Sequence, residues 1–139
     1  MSIRVVIADD HNIVRKGIRE LLTDEDDIEV VGEARNGQEA VDLATALRPD
    51  VVLMDIAMPV LTGVEATRQL RVAAPSVRIL VLTAYEDDPY INGLFDAGAA
   101  GYILKTAESR EIVRAERPTA AAQSAIDPAI APRLLARLS

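Results

Sequence analysis

The chain of 139 residues contains no cysteine and no tryptophan, and it has only three tyrosines, one phenylalanine and one histidine. The lack of cysteine excludes disulfide bonds and thiolate metal sites. No apolar run is long enough to cross a bilayer, and the N-terminal stretch MSIRVVIADD lacks the hydrophobic region of a signal peptide. The formal net charge of −7 argues against a nucleic-acid surface on the folded part. We therefore expect a cytoplasmic protein with one aliphatic core and no membrane partner.

Short continuous apolar runs alternate along the chain with apolar stripes at helical spacing. The runs predict five strands, at Ile3–Ala8, Ile28–Ala34, 51–54, 77–82 and Gly101–Leu104. The stripes predict helices at 12–22, in a segment ending before Pro49, at 64–74, from Asp88 to Gly98 and after Ser109, with Asn12, Asp88 and Ser109 as N-caps. Since parallel strands need crossover helices, this alternation predicts an α/β fold with a parallel sheet and helices on both faces.

Four of the predicted strands are followed directly by residue types that are able to bind ions or phosphate. The first ends at the adjacent pair Asp9 and Asp10, the third at Asp55, the fourth at Thr83 and the fifth at Lys105. Two adjacent carboxylates repel each other unless a positive charge lies nearby. Sheets of this class bind ligands outside the carboxyl ends of their strands. We therefore expect these five side chains to converge on one site.

The chemistry of that site follows from the residue types. Carboxylate oxygens, waters and phosphate oxygens are the ligands that Mg²⁺ prefers, so we expect Mg²⁺, or Mn²⁺, as the cofactor. A carboxylate beside such an ion is also able to act as a nucleophile toward phosphorus. Lys105 supplies a positive charge, and Thr83 a hydroxyl, for the new phosphoryl oxygens. Because Mg²⁺ prefers oxygen, we expect His11 to be an exposed loop residue rather than a ligand.

Each of these features is ordinary by itself. An Asp-Asp pair is usually a solvated turn, and a threonine or lysine after a strand is commonplace. Asp55, ahead of IAMP, is compatible with a simple turn. The joint occurrence of all of them, each after the appropriate strand, is what favours a phosphate and metal site.

Four segments make the chain resemble a known family: IADDHNIVRKGI, VVLMDIAMPVLTG, ILVLTAYED and DAGAAGYILK. They look like the receiver domain of bacterial response regulators, and especially like the subfamily in which the receiver precedes a LuxR-type helix-turn-helix. The resemblance covers roughly residues 2–114. It implies a flavodoxin-like fold with strand order 2-1-3-4-5.

The resemblance also implies a role for each site residue. Asp55 would accept a phosphoryl group from a sensor histidine kinase. Mg²⁺ would be bound by Asp10, Asp55 and the backbone carbonyl of Ala57, with Asp9 acting mainly through water. Thr83 and Lys105 would bind the phosphoryl group, and Tyr102 would be the aromatic switch residue. A phosphorylation-dependent homodimer is a further expected partner state.

The end of the chain departs from the family pattern. Ile112 and Val113 are expected to face inward, which makes an apolar residue the expectation at position 116, yet the residue is Glu116. Pro118 is predicted to end the helix, because proline lacks an N–H and clashes with the preceding turn. We therefore divide the chain into a receiver, residues 1–118, and an Ala- and Pro-rich linker or mobile tail, residues 119–139.

That tail contains SAIDPAIAPRLL, which resembles the linker leading to a DNA-binding domain in the subfamily. We expect no DNA binding by this chain alone and DNA binding by a longer form with a helix-turn-helix.

The function expected from this sequence is a switch that carries phosphate and controls transcription, rather than a turnover enzyme. Three other functions compete with this one. An aspartate-nucleophile phosphohydrolase shares the chemistry, but its nucleophile follows the first strand. A stand-alone or degenerate receiver acting only as a binding module does not need the complete set of Asp10, Asp55, Thr83 and Lys105. A flavin or dinucleotide site would require a glycine-rich loop after the first strand.

Overall fold

The computed structural model describes residues 2–55, 58–83, 96–104, 109–120 and 125–126. Its strands and helices follow one another as β1 (Ile3–Ala8), α1 (Asn12–Thr23), β2 (Ile28–Ala34), α2 (Gly37–Leu47), β3 (Val51–Asp55), α3 (Gly63–Ala73), β4 (Arg78–Thr83), β5 (Gly101–Leu104), α4 (Ser109–Ala120) and β6 (Ala125–Ile126). Within these residues, no helix is both long enough and apolar enough to cross a membrane.

The six strands among the described residues form one parallel sheet with the order β2-β1-β3-β4-β5-β6. The five predicted strands and their order 2-1-3-4-5 are confirmed. The sixth, two-residue strand was not predicted: it lies in the segment expected to be mobile and pairs with Gly101 and Tyr102 of β5. An edge strand offers unpaired N–H and C=O groups, and α4 serves as the crossover that returns the chain to this edge.

The core lies in two aliphatic layers, one on each face of the sheet. Alternate residues of each central strand face opposite layers, as the period of two requires. One layer joins the sheet to α2 and α3, and it includes Val6, Met54, Val81 and Tyr102 among others. The other joins the sheet to α1 and α4, and it includes Ile7, Leu53, Leu82 and Ile112. The predicted helices on both faces are therefore confirmed.

α2 and α3 begin with side-chain caps, whereas α1 does not. Asn36 accepts from the backbone N–H of Glu39 at the start of α2, and Thr62 caps α3 in the same way. The predicted cap Asn12 is wrong: Asn12 is the first residue of α1, and the cap position is His11, which makes no side-chain cap hydrogen bond. The Oδ1 atom of Asn12 accepts from Nη2 of Arg15 instead. The Asn12 side chain therefore bonds to another residue of α1 instead of capping the helix.

The helix predicted from Asp88 lies outside the described residues except at its end. Residues 96–97 are helical, and Gly98 follows them with φ of +97°. A positive φ is the left-handed conformation that glycine adopts without steric cost, so it is a natural position to end a helix. This agrees with Gly98 as the predicted C-terminal stop.

The prediction that Pro118 ends the last helix is wrong. α4 contains Pro118 and continues to Ala120. Ala115 and Thr119, on either side of Pro118, are both buried against the core, and this packing outweighs the hydrogen bond that proline removes. Glu116 does face inward, as the spacing predicted, and it is fully buried. The division of the chain at residue 118 stays a prediction.

Candidate functional site

The central strands β1 and β3 bring three carboxylates together at the carboxyl edge of the sheet. Ala8 of β1 pairs with Met54 of β3, so the residues that follow them, Asp9 and Asp55, lie at the same level. Asp10 comes next along the chain. One ligand atom from each of Asp9, Asp10, His11 and Asp55 lies within 4.8 Å of the others. The predicted convergence of the acidic residues is observed in the geometry.

Two of these three carboxylates are buried, which makes their negative charge energetically costly. Asp9 is 1% exposed and Asp55 is 3% exposed, whereas Asp10 is partly exposed. Taking carboxylates out of water is costly unless positive charge compensates them. Three carboxylates at this spacing, with one open to solvent, are a donor set suited to Mg²⁺, which binds one or two carboxylates and keeps several waters. The residues therefore fit the Mg²⁺ that is expected from the sequence.

The exposed ring of His11 turns toward the acidic pair. Its Nδ1 atom lies 3.1 Å from Oδ1 of Asp9 and 3.1 Å from Oδ1 of Asp10. The backbone N–H of His11 also donates to Oδ1 of Asp9, at 2.9 Å. The side chain of His11 is 63% exposed, so its expected exposure is confirmed. Its approach to both carboxylates was not expected from the sequence.

Arg15 holds the loop between β1 and α1, a role that the sequence did not reveal. Its guanidinium donates to the backbone carbonyl of Asp9 at 2.7 Å and to Oδ1 of Asn12. Its Nε atom also lies 3.2 Å from Oε1 of Glu33 in β2, and Arg19 binds the other oxygen of Glu33. These contacts fix the backbone that carries the acidic pair. The partner Glu33 is 18 residues from Arg15, too far for helical spacing to indicate it.

The loop after β3 is tightly turned and closely packed. The N–H of Leu61 donates to the carbonyl of Pro59 across Val60, whose φ is +70°. A positive φ is strained for a β-branched residue, and such strain is often found at functional sites. A Cβ added to Gly37, at the start of α2, would lie 2.0 Å from the carbonyl oxygen of Leu61. The loop beyond Asp55 thus rests directly on α2.

Two large apolar side chains near this edge are open to solvent. Ile13, in the first turn of α1, is 88% exposed, and Val60 is 80% exposed. Each follows a strand that supplies carboxylates to the site. Burying them against another protein would release water from apolar surface, which is favourable.

Of the other predicted site residues, only some belong to the described part of the structure. Thr83 is the last residue of β4, where it pairs with Leu104 of β5, but its side chain lies outside the described set. Lys105 and Ala57 also lie outside it. Tyr102 is described: it is 1% exposed and belongs to the core layer that contains Met54 and Val81. The structure therefore brings Asp9, Asp10 and Asp55 together and places Tyr102 in the core two strands away from β3.

Comparisons with known proteins agree on one family. The family model described as response regulator receiver domain matches residues 5–117. The chain is similar to the response regulator GacA of Pseudomonas viridiflava, with 46% identity over 132 residues, covering 95% of this chain and 62% of GacA. It is 40% identical to the response regulator protein VraR of Staphylococcus aureus, covering 99% of this chain and 66% of VraR.

Similarity to a solved structure supports the same assignment. The crystal structure of a LuxR-family two-component response regulator from Aurantimonas sp. SI85-9A1 superposes with a TM-score of 0.92 and 35% identity, covering all of both chains. The chain thus spans somewhat less than two thirds of the length of GacA but the full length of this solved chain.

Proposed function

The chain belongs to the response regulator receiver domain family, and on that premise we propose that it is a signalling switch in which Asp55 accepts a phosphoryl group. The observation that carries this proposal is the placement of Asp55. It ends the central strand β3, is 3% exposed, and shares a cluster no wider than 4.8 Å with Asp9 and Asp10. A carboxylate is able to act as a nucleophile toward phosphorus, and the two neighbouring carboxylates would hold the cation that offsets the phosphoryl charge.

The proposed reaction transfers a phosphoryl group to one carboxylate oxygen of Asp55. The new bond joins that oxygen to phosphorus, and the bond that breaks joins phosphorus to a histidine nitrogen of a sensor kinase. The leaving imidazole keeps the electron pair and takes a proton from water. Asp9 and Asp10 would hold a divalent cation, which supplies positive charge to the phosphoryl oxygens when it is bound. We assign Thr83 and Lys105 as donors to the same oxygens, and the backbone carbonyl of Ala57 as a further metal ligand.

A protein phosphodonor is supported by the surface near the site. Ile13 and Val60 are both more than three-quarters exposed, and they lie near the loops that carry Asp10 and Asp55. Small phosphate donors do not need apolar surface, whereas a docking kinase buries it. We therefore propose a sensor histidine kinase as the partner at this edge.

The signal would pass from Asp55 to the rest of the molecule through β4 and β5. Asp55 pairs with Leu82, and the next residue, Thr83, pairs with Leu104. Attraction of Thr83 to the phosphoryl group would bias the loop after β4 and the buried ring of Tyr102 between two arrangements. The proposed readout is transcription control, through a helix-turn-helix in a longer protein or through dimerisation. The similarity to GacA and to a LuxR-family regulator supports that readout.

Labelling with acetyl phosphate and Mg²⁺ tests the acceptor assignment. The protein is expected to gain one acid-stable, hydroxylamine-labile phosphate, and Asp55→Asn is expected to lose it. Asp42→Asn, on the exposed side of α2, is the matched control and should label normally. Labelling of Asp55→Asn at a serine or threonine would disprove the proposal. Repeated release of inorganic phosphate at a rate typical of an enzyme would favour a phosphohydrolase instead.

A further inference from the structure

The linker that follows α4 is attached to the edge of the sheet. Ala125 and Ile126 form β6, which runs parallel to β5 and pairs with Gly101 and Tyr102. β6 also contacts α4. These two residues belong to SAIDPAIAPRLL, the stretch that resembles the linker to a DNA-binding domain. The structure thus fixes the start of that linker at the β5 edge, where an added strand pairs with N–H and C=O groups of the sheet.

One pairing partner of β6 is the residue through which the signal is proposed to pass. Within the sheet, Tyr102 lies between Val81 of β4 and Ile126 of β6, and its side chain is buried in the core. A displacement of the Tyr102 backbone therefore acts on both neighbouring strands at once. β4 is joined to β5 by four residue pairs, whereas β6 is joined to β5 by two. Since hydrogen bonds weaken steeply when their geometry is distorted, the shorter ladder is the one expected to open first.

α4 is held in place by contacts that do not involve β6. Ile112 and Val113 are buried in the core layer between α4 and the sheet, and Nε of Arg117 lies 2.7 Å from Oδ2 of Asp27. Opening of the β5–β6 ladder would leave these contacts intact. The element able to leave the sheet is therefore β6, with α4 staying where it is.

We propose that β6 is a docking strand that holds the linker on β5, and that phosphorylation of Asp55 releases it. This role rests on the proposed function, because Asp55 is taken as the acceptor and Tyr102 as part of the signal path. The occupant of the β5 edge is a segment of this same chain, and its release is the step that follows the movement of Tyr102. In a longer form, release would free a DNA-binding domain from a fixed position beside the receiver.

Amide hydrogen exchange tests whether β6 is docked. Successive N–H groups of a strand point to opposite sides, so replacing both Ala125 and Ile126 by proline removes the donor whichever of them faces β5. The double variant Ala125→Pro/Ile126→Pro is expected to raise the exchange rate of the β5 amides that face β6 by about tenfold or more. Ala129→Pro/Ile130→Pro, in the same linker but outside β6, is the matched control and should leave those rates unchanged. Equal β5 exchange in the two variants would overturn docking.

Distances between pairs of spin labels test the release in protein with an unaltered β6. The chain has no cysteine, so the labels attach only at introduced ones. Val72→Cys on α3, where the side chain is 86% exposed, is combined with Asp127→Cys, directly after β6. This pair is expected to give a narrow distance distribution that broadens when beryllofluoride and Mg²⁺ are added. Val72→Cys with Arg114→Cys on α4 is the control pair and should stay narrow in both states.

Labelling of Asp55 with acetyl phosphate is scored independently of the distances. If Asp55 is labelled and the distribution to residue 127 stays narrow with beryllofluoride, release is disproved. A distribution that is already broad without beryllofluoride would disprove docking. If Asp55 is not labelled, the proposed function and the release fail together, while the exchange experiment still decides whether β6 is docked.

Discussion

Nε of Arg117 lies 2.7 Å from Oδ2 of Asp27, and Nη2 of the same guanidinium lies 2.8 Å from Oδ1, across 90 residues of sequence. Nη2 also reaches Oε1 of Glu25 at 2.9 Å. These contacts join the outer side of α4 to the loop between α1 and β2. The inner side of the same turn carries Glu116, which is fully buried. Ion pairs of Arg117 therefore stabilise α4 on its outer side, whereas the buried carboxyl group of Glu116 destabilises it on its inner side.

The first prediction concerns the outer contact. Arg117→Gln is expected to lower the Tm by no more than a few degrees, because partly exposed ion pairs are weak, although bidentate geometry places this contact among the stronger ones. The difference in Tm between Arg117→Gln and the unaltered protein should become smaller as NaCl screens the charges. Arg114→Gln, exposed on the same helix, is the control and should leave the Tm unchanged. Equal Tm values for Arg117→Gln and the unaltered protein at low salt would show that the contact does not stabilise α4.

The stabilisation that the Arg117–Asp27 contact provides is expected to decrease as the pH falls. The hydrogen bond from Arg117 is the main cause that lowers the pKa of Asp27 below its ordinary 3.8. A lowered pKa contributes stability above the ordinary value, and the contribution disappears as the pH falls through the folded-state pKa. Acid titration should therefore narrow the Tm difference between Arg117→Gln and the unaltered protein. A difference that is constant down to strongly acidic pH would contradict the assignment.

The second prediction concerns Glu116. Burial raises its pKa to about 8, and both carboxylate oxygens lack a hydrogen-bond partner among the described residues. Because the unfolded chain ionises near 4.5 and the folded chain near 8, stability is lost as the pH rises between these values, at about 1.4 kcal/mol per pH unit. Glu116→Gln should remove this slope. Glu116→Leu should remove it and also be more stable by a few kcal/mol at neutral pH.

Urea denaturation at pH 5, 7 and 8.5 would measure the effect of Glu116. The unaltered protein should lose free energy of unfolding across this series relative to Glu116→Gln. Parallel pH profiles for the two proteins would show that Glu116 is not buried in its neutral form.

The buried strands were the part of the fold most accessible from the sequence. β1 and β2 have the predicted bounds, β3 extends one residue further than predicted, and β4 is shifted by one residue at both ends. A strand covered on both faces has a continuous apolar run as its sequence. The residue that follows such a run then lies at the carboxyl edge of the sheet, where ligands bind. This is why Asp9 and Asp55 could be placed from their sequence positions alone.

Contacts between residues far apart in the sequence could not be predicted in this way. Neither Arg15 with Glu33 nor Arg117 with Asp27 has a spacing that local geometry favours. The cap of α1 was predicted wrongly, since the Asn12 side chain binds Arg15 inside the helix, and so was the end of α4, since packing of its inner face carries the helix through Pro118. The sequence pattern specifies which face is buried, whereas side-chain pairing depends on the assembled tertiary structure.

The third prediction compares two glycines in helices. A Cβ at Gly37 would meet the carbonyl oxygen of Leu61 at 2.0 Å, while a Cβ at Gly17 would meet nothing within 4 Å. Gly37→Ala should therefore destabilise the protein by about 1–3 kcal/mol, because backbone of the loop after β3 must move. Gly17→Ala, inside α1, should stabilise it by about 0.5–1 kcal/mol. Chemical denaturation of both variants gives the comparison, and a destabilising Gly17→Ala together with a neutral Gly37→Ala would contradict the packing described.

Gly37→Ala should also slow labelling by acetyl phosphate, since the displaced loop follows Asp55. Gly17→Ala should leave labelling unchanged. Labelling of Gly37→Ala at the normal rate would show that this loop does not position the acceptor.

The last prediction is that residues 1–139 do not bind DNA in a sequence-specific way. A specific reader needs a positive face and an element that enters a groove. The net charge is −7, and Arg15, Arg19, Arg35 and Arg117 are each paired with a carboxylate. Fluorescence anisotropy with promoter fragments, with and without beryllofluoride, should show no sequence-selective binding. The same probe should bind a longer form that includes a helix-turn-helix. Selective binding that increases with beryllofluoride in residues 1–139 would mean that this domain itself reads DNA.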